Sequence, residues 1–173
     1  IDGDKILALF AKELFNNNKL VKNTVVATKM SNLGFENYLK KLGVNLIRTD
    51  VGDINVIEEM DKKKYCLGGE QSGHIILGEY SNTGDGILVA LKILEILKNS
   101  NKNTNKLFDN YNSYHQEKIN LSFDNYLSDK TKNSIKKISS KIFLNKQHLR
   151  CLVRESGTEP LIRILVEGKS KKE

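Results

Sequence analysis

The feature that most constrains the fold is an alternation, in the first half of the chain, of short β-branched runs with segments of helical hydrophobic period. Thr24 to Met30 and Val44 to Thr49 have the composition of buried strands, whereas Lys5 to Phe15 and Ile54 to Lys64 carry apolar residues at helical spacing. Strand and helix in short alternating units favour a parallel-type mixed sheet with covering helices. The predicted fold class of this part is therefore α/β.

The second part of the chain has a different pattern, and it follows a polar, Asn-rich stretch. Strand-like and helix-like segments occur in this order: Lys118 to Phe123, Asp129 to Lys141, His148 to Arg154 and Leu161 to Val166. This order predicts a smaller α+β C-terminal domain. We place the two domains at residues 1–112 and 113–173, with a linker at about 99–112.

Composition narrows the function classes. The chain has 173 residues with a formal net charge of +7, but its lysines are scattered and lack the aromatic interleaving of a nucleic-acid surface. No apolar run approaches the roughly 20 residues of a membrane helix. Neither a nucleic-acid nor a membrane partner is expected. The two cysteines, Cys66 and Cys151, cannot form a disulfide framework, which favours the cytoplasm.

One segment with the character of a binding site is Gly68 to His74, in which glycines enclose a carboxylate and a hydroxyl. The glycines let the backbone turn sharply and approach a ligand. Glu70 can accept hydrogen bonds from neighbouring hydroxyls, as on a sugar ring, and Ser72 can donate or accept beside it. The alternative is a hairpin-like turn in which the glutamate has only a structural part.

The second such segment is Arg154 to Pro160, followed by Arg163 on a predicted strand. A guanidinium, two hydroxyls and a glycine amide within one turn could hold a phosphate group. Only four arginines occur in this lysine-rich chain, and two of them fall here. The alternative is a tight turn whose arginine pairs with Glu155 or Glu159.

Two shorter patterns carry less information. Val51 to Asp53 fits a strand-to-helix turn that Asp53 would cap. Asp2 and Asp4 flank Gly3, but two carboxylates are too few for a dedicated metal site, so helix capping is predicted for this pair.

Taken together, these segments resemble the α-D-phosphohexomutase superfamily. Gly69 to His74 is similar to the sugar-binding loop of its third domain, and Arg154 to Arg163 is similar to the phosphate-binding loop of its fourth domain. Gln71 resembles the glucosamine branch of that family, as do Met30 to Gly34 and Thr83 to Ile87. The resemblance spans nearly the whole chain.

The resemblance implies three groups of site residues. Those that would bind the sugar are Glu70, Ser72 and His74. Those that would bind the phosphate are Arg154, Ser156, Gly157 and Thr158. Those that would support the site are Gly52, Asp53 and Arg163.

The resemblance also implies an activity for a longer parent enzyme. That enzyme would interconvert glucosamine 6-phosphate and glucosamine 1-phosphate through a phosphoserine and a hexosamine 1,6-bisphosphate, supplying amino-sugar nucleotides and cell-wall precursors. Mg²⁺ would be its metal. The phosphoserine and the magnesium loop would precede this chain, so no catalytic residue and no metal ligand is assigned here. The chain would then be a fragment that is inactive alone.

The expected partners are a phosphosugar and the N-terminal domains of the same polypeptide, while a homodimer of the full-length enzyme stays open. The fragment would lack the first strand of the third domain and the end of the fourth. Two alternatives also stay open: a phosphoglucomutase or phosphomannomutase, and a phosphosugar-binding module without catalysis.

Overall fold

A computed structural model describes residues 1–123, 128–143, 149–156 and 159–170. The chain divides into two compact units, Ile1–Asn112 and Ser113–Glu173. The first contains a sheet with strands of both directions and several helices, and the second contains a smaller antiparallel sheet with one long helix. This confirms the predicted fold class, an α/β part followed by a smaller α+β part.

The elements of the first unit alternate as the sequence pattern predicts. Its helices are α1 (Gly3–Asn16), α2 (Leu33–Leu42), α3 (Asp53–Lys63), α4 (Gly86–Asn99) and α5 (Thr104–Phe108), with a 3₁₀ turn at Val21–Asn23. Its strands are β1 (Thr24–Thr28), β2 (Asn45–Thr49), β3 (Leu67–Gly69) and β4 (Ile75–Leu77). The strand order is β2-β1-β3-β4, in which β1 pairs in parallel with β2 and β3, and β4 is antiparallel to β3.

Short polar side chains start four of these helices, α1, α2, α4 and α5, and a glycine ends α2. The Asp2 carboxylate accepts from the Lys5 amide at 3.0 Å, Asn32 caps α2 and Asp85 caps α4. Each satisfies amide groups that have no partner within their helix. Gly43 ends α2 in the left-handed conformation, with a φ of 77°.

The core of the first unit lies on both sides of β1, which is buried along its whole length. Val25 and Ala27 pack in one apolar cluster with residues of α1 and α2, whereas Val26 packs in a second cluster with residues of α3. Successive side chains of a strand point to opposite faces of its sheet. The sheet is therefore covered by helices on both faces, which leaves its strand ends free to carry loops.

The segment predicted as a linker is partly packed. In α5, Leu107 and Phe108 are buried against Leu9 of α1, and the Tyr111 ring stacks on Tyr38 with centroids 5.8 Å apart. Helix α4 extends to Asn99, where the segment was expected to start. Apolar side chains in the predicted linker give it a place in the core of the first unit, up to the boundary at Asn112.

The second unit is built on β7 (Leu161–Gly168), which lies between β5 (His115–Ser122) and β6 (Arg150–Glu155) and is antiparallel to both. Helix α6 (Asp129–Phe143) contacts β6. The fully buried Glu167 on β7 accepts from Gln116 at 2.7 Å and from Arg150 at 2.5 Å. A buried charge needs such partners, so this cross-strand row supports the sheet from within. No helix in the described part of the chain has the length and apolarity of a membrane span.

Candidate phosphosugar site

The parallel strands bring three loops to one edge of the first sheet. Because β1, β2 and β3 run in the same direction, the segments after Thr28, Thr49 and Gly69 leave the sheet together. Neighbouring loops are in contact: the Lys29 ammonium lies 2.6 Å from the Asp50 carboxylate, and the Gly52 amide donates to Glu70. The predicted sugar loop thus lies beside the loop that carries the predicted supporting residues.

The predicted sugar loop is the connection between β3 and β4. The Glu70 amide donates to the His74 carbonyl at 2.8 Å, and the Gly73 amide donates back to the Glu70 carbonyl at 3.0 Å. Gly73 has a φ of 107°, a conformation that residues with a side chain rarely adopt. The hairpin-like turn considered as an alternative is therefore present. It fixes the backbone, and the Ser72 and His74 side chains are exposed.

The Glu70 carboxylate is anchored through one of its two oxygens. Its Oε1 atom accepts from the Gly52 amide at 3.1 Å, and among the described residues no group donates to Oε2. Gly52 makes this contact at a φ of 121°, directly before α3. The side chain is half-buried, so one oxygen sets its orientation and the other can accept hydrogen bonds from a ligand.

His74 and Asp53 face each other across two loops. The His74 Nε2 atom lies 3.8 Å from the nearer Asp53 carboxylate oxygen, and both side chains are about half exposed. Gly84 leaves room for the imidazole, since a Cβ atom there would lie 2.6 Å from His74 Cδ2. Ser72 is exposed on the same loop as His74. Asp53 is the first residue of α3, and Gly52 takes the N-cap position for which Asp53 was expected.

The sequence analysis did not predict that Asp4 and Arg48 hold the loop after β1 at this edge of the sheet. Asp2 and Asp4 were both candidates to cap α1. Asp2 does so, whereas Asp4 is buried and its carboxylate accepts from the Asn32 amide at 2.7 Å. Burial raises the pKa of Asp4 to about 6, although the Asn32 hydrogen bond opposes this.

Arg48 is the second residue that holds the loop after β1. Its guanidinium donates to the Ser31 carbonyl at 2.7 Å and to the Glu36 carboxylate at 2.8 Å, so it holds the loop after β1 to α2. A signal was available for this residue, because Arg48 is the first of only four arginines in a lysine-rich chain. The bidentate geometry of arginine suits such a bridging position.

The predicted phosphate loop connects β6 to β7. Arg154 and Arg163 are directly opposite each other in these strands. The Arg163 Nη2 atom lies 3.0 Å from the Glu159 carboxylate and 3.3 Å from Ser156 Oγ. The arginine–glutamate pair considered as an alternative therefore exists, and its arginine is Arg163. In the described part of the chain no carboxylate pairs with Arg154. The other two predicted phosphate ligands, Gly157 and Thr158, lie outside the described residues.

A cavity of about 800 Å³ lies elsewhere in the first unit. Residues from the ends of α1 and α3 line it, among them Asn17 and Lys64, together with Cys66 just before β3. These positions belong to the edge of the sheet opposite the sugar loop. None of the predicted site residues lines this cavity.

Comparison with known proteins identifies both units. Residues 2–114 match the family described as phosphoglucomutase/phosphomannomutase, alpha/beta/alpha domain III. Residues 115–173 match the phosphoglucomutase/phosphomannomutase C-terminal domain. The chain belongs to this family. The predicted resemblance to the α-D-phosphohexomutase superfamily is thereby confirmed.

Individual members of the family show how far the likeness extends. Phosphoglucosamine mutase of Thermodesulfovibrio yellowstonii is 48% identical over 173 residues, which cover 98% of this chain and 38% of that protein. The chain thus spans about 38% of the length of the curated relatives it matches.

Solved structures share the fold at lower identity. An N-acetylglucosamine-phosphate mutase in its substrate complex has a TM-score of 0.78 and 18% identity, covering 99% of this chain and 41% of that one. N-acetylphosphoglucosamine mutase of Aspergillus fumigatus, in complex with GlcNAc-6P and magnesium, has a TM-score of 0.74 and 16% identity, covering 99% and 41%.

Proposed function

We propose that the protein binds a phosphosugar as part of a phosphoglucosamine mutase that interconverts glucosamine 6-phosphate and glucosamine 1-phosphate. The observation that carries the proposal is that each family motif has a charged side chain that can still form hydrogen bonds with a ligand. Glu70 has a second oxygen to which no described group donates a hydrogen bond, and Arg154 has no carboxylate partner among the described residues. The hydroxyls of a phosphosugar can donate to the Glu70 carboxylate, and its phosphate can pair with the Arg154 guanidinium. Relatives named phosphoglucosamine mutase support the choice of sugar.

In this proposal the sugar loop orients the ring. Glu70 accepts from ring hydroxyls through Oε2, and Ser72 donates or accepts beside it. His74 keeps the loop oriented through its contact with Asp53. The Gly52 amide orients the Glu70 carboxylate before the ligand arrives. The glutamate side chain therefore loses less conformational entropy when the ligand binds.

The phosphate loop holds the phosphate that is not reacting. Arg154 supplies a planar pair of donors that matches two phosphate oxygens. Ser156 adds a hydroxyl donor, and Gly157 and Thr158 are proposed to complete the set. Phosphoryl transfer depends chiefly on positioning and charge stabilisation, so such binding is a substantial contribution to the reaction.

The chemical steps are proposed for the whole enzyme, an isomerase. A phosphoserine outside this chain would pass its phosphoryl group to the free end of the substrate, giving a 1,6-bisphosphate. The other phosphoryl group would then return to the serine, leaving the isomeric monophosphate. Magnesium, when bound, would stabilise charge on the transferred group. Among the described residues no group of three acidic, histidine or cysteine side chains could hold that ion. The unpaired cysteines favour a cytoplasmic location.

The experiment that tests this proposal is an amide NMR titration with glucosamine 6-phosphate, glucose 6-phosphate and inorganic phosphate. The phosphosugars should shift amides of both 70–74 and 154–156, and inorganic phosphate should shift the second group alone. Arg154→Ala should weaken binding of all three ligands by about tenfold or more, since a charge-assisted bidentate contact is lost. Arg154→Lys keeps the charge and should lose less.

Two results would contradict the proposal. Phosphosugar shifts away from both loops would show that the ligand binds elsewhere. Unchanged phosphate affinity in Arg154→Ala would show that this arginine does not bind the anion. A stronger response to glucose 6-phosphate than to glucosamine 6-phosphate would favour a phosphoglucomutase or phosphomannomutase, which the family description also names.

A further inference from the structure

Two arginines occupy directly opposite positions in the second sheet. Arg154 of β6 pairs in register with Arg163 of β7, and Asn120 of β5 is opposite Arg163 on its other side. Side chains directly opposite in an antiparallel pair share a face, with Cβ atoms about 4.5–5.5 Å apart. Two positive charges so placed repel each other unless anions compensate them.

The two charges are compensated differently. The Arg163 Nη2 atom lies 3.0 Å from a carboxylate oxygen of Glu159, so its charge is balanced within the protein. Arg154 has no such carboxylate partner in the described part of the chain. The two arginines are therefore not equivalent phosphate ligands. Arg154 is left to an external anion, while Arg163 is held by the loop.

The second contact of Arg163 determines which way a hydroxyl donates. Its Nη2 atom also lies 3.3 Å from Ser156 Oγ. A guanidinium has donors only, so the serine oxygen must be the acceptor in this hydrogen bond. The hydroxyl proton of Ser156 is then left to bond another acceptor. The Ser156 amide is also committed, because it donates to the Leu161 carbonyl at 2.9 Å.

We propose that Arg163 is a positioning residue that acts through Ser156. It holds Ser156 Oγ as an acceptor, so that the hydroxyl proton is directed to a phosphate oxygen. Glu159 meanwhile keeps the Arg163 guanidinium from taking the phosphate itself. This inference rests on the proposed phosphate-binding function of the loop.

The test is a double-mutant cycle read out by inorganic phosphate affinity. Arg163→Lys keeps the charge but cannot reproduce the planar geometry of the guanidinium, and it should weaken phosphate binding about fivefold to tenfold. Ser156→Ala should cost a similar factor. In the Ser156→Ala background, Arg163→Lys should cost less than about twofold, because non-additivity marks residues that act through each other. Arg150→Lys is the matched control, since Arg150 lies on the same sheet and pairs with Glu167.

A second variant tests the part of Glu159. In Glu159→Gln the Arg163 guanidinium loses its internal counter-charge and can turn to the phosphate, so Ser156→Ala should cost less there than in the wild type. Thermal unfolding of every variant shows whether it is folded. If Arg163→Lys does not fold, the comparison within Glu159→Gln decides.

The outcomes separate the inference from the function on which it rests. Additive losses for Arg163→Lys and Ser156→Ala would make Arg163 a direct ligand and overturn the positioning role. Loss of binding in Arg154→Ala with no more effect from Arg163→Lys than from Arg150→Lys would overturn only this inference. Unchanged affinity in Arg154→Ala, or no phosphate binding by the wild type, would overturn both.

Discussion

At the scale of single residues, Asp4 shows how burial changes the chemistry of a carboxylate. Asp2 and Asp4 stand at equivalent distances from Gly3, yet Asp2 caps α1 whereas Asp4 is fully buried. Desolvation raises the pKa of the Asp4 carboxyl from 3.8 to about 6, and the nearby Asp2 adds to this, while the Asn32 hydrogen bond and Arg48 oppose it. The carboxylate holds the loop after β1 at the cost of some stability at neutral pH.

The pH dependence of stability should therefore change in Asp4→Asn. Between pH 4 and 6 the folded protein keeps a proton on Asp4 that the unfolded chain has released, so this residue's contribution to stability falls as the pH rises. A pKa of about 6 against 3.8 corresponds to about 3 kcal/mol, fully lost above pH 6. The asparagine of Asp4→Asn cannot ionise. As the pH rises from 4 to above 6, the free energy of unfolding of this variant should therefore decline less than that of the wild type, by up to this amount.

Urea unfolding of both proteins at a series of pH values from 4 to 7.5 measures this difference. A carbon NMR titration of the Asp4 carboxyl in the wild type checks the pKa directly. Parallel stability profiles for the two proteins would contradict the prediction.

At the scale of elements, the start of α1 supports the sugar loop by direct contact. The Gly3 amide donates to the Gln71 carbonyl at 2.8 Å. A Cβ atom on Gly3 would lie 2.0 Å from the Glu70 carbonyl oxygen and 2.9 Å from the Gly73 nitrogen. Only a residue without a side chain fits there, because the atoms it would meet are backbone atoms of the loop.

Gly3→Ala should displace the sugar loop and destabilise the protein by about 1–3 kcal/mol, the usual cost of overpacking. Affinity for glucosamine 6-phosphate should fall, while the Ser156 amide should still respond to inorganic phosphate. Gly86→Ala is the matched control, since nothing lies within 4 Å of the added Cβ atom. Thermal unfolding and the NMR titration measure both effects. Equal behaviour of the two variants would show that the contact does not position the loop.

At the scale of the whole molecule, the boundary between the two units lies at the end of a packed segment. Leu107 and Phe108 are at most 8% exposed, and Tyr111 stacks on Tyr38. The Lys5 ammonium also lies 3.9 Å from the centre of the Tyr111 ring. The residues up to Asn112 therefore belong to the first unit, although their polar surroundings in the sequence are those of a linker.

A chain of residues 1–112 should be more stable than one of residues 1–103 by about 3 kcal/mol or more, since the shorter chain loses a buried leucine and a buried phenylalanine. Urea unfolding of the two chains measures the difference. Leu107→Ala with Phe108→Ala in the 173-residue chain should produce a loss of similar size. Equal stability of the two truncated chains would mean that α5 contributes nothing to the core.

Much of the fold could be predicted because its signals are local. Gly43 ends α2 where the apolar period stops, and Asp85 caps α4. The two candidate binding segments could be proposed for the same reason, since Glu70 and Arg154 occur in continuous motifs. Contacts between distant segments left no such signal. Nothing near Gly52 in the sequence indicates that its amide holds Glu70, which is 18 residues away.

The sequence by itself determined the element types, their order and the two motifs, because hydrophobic period, capping residues and glycine positions act over a few residues. Tertiary structure alone decided which of Asp2 and Asp4 is buried, and which of two opposed arginines is neutralised by a glutamate. Both outcomes depend on desolvation and on charges brought together by strand pairing. These energies exist only once the chain has folded, so chemically identical residues in one motif acquire different properties.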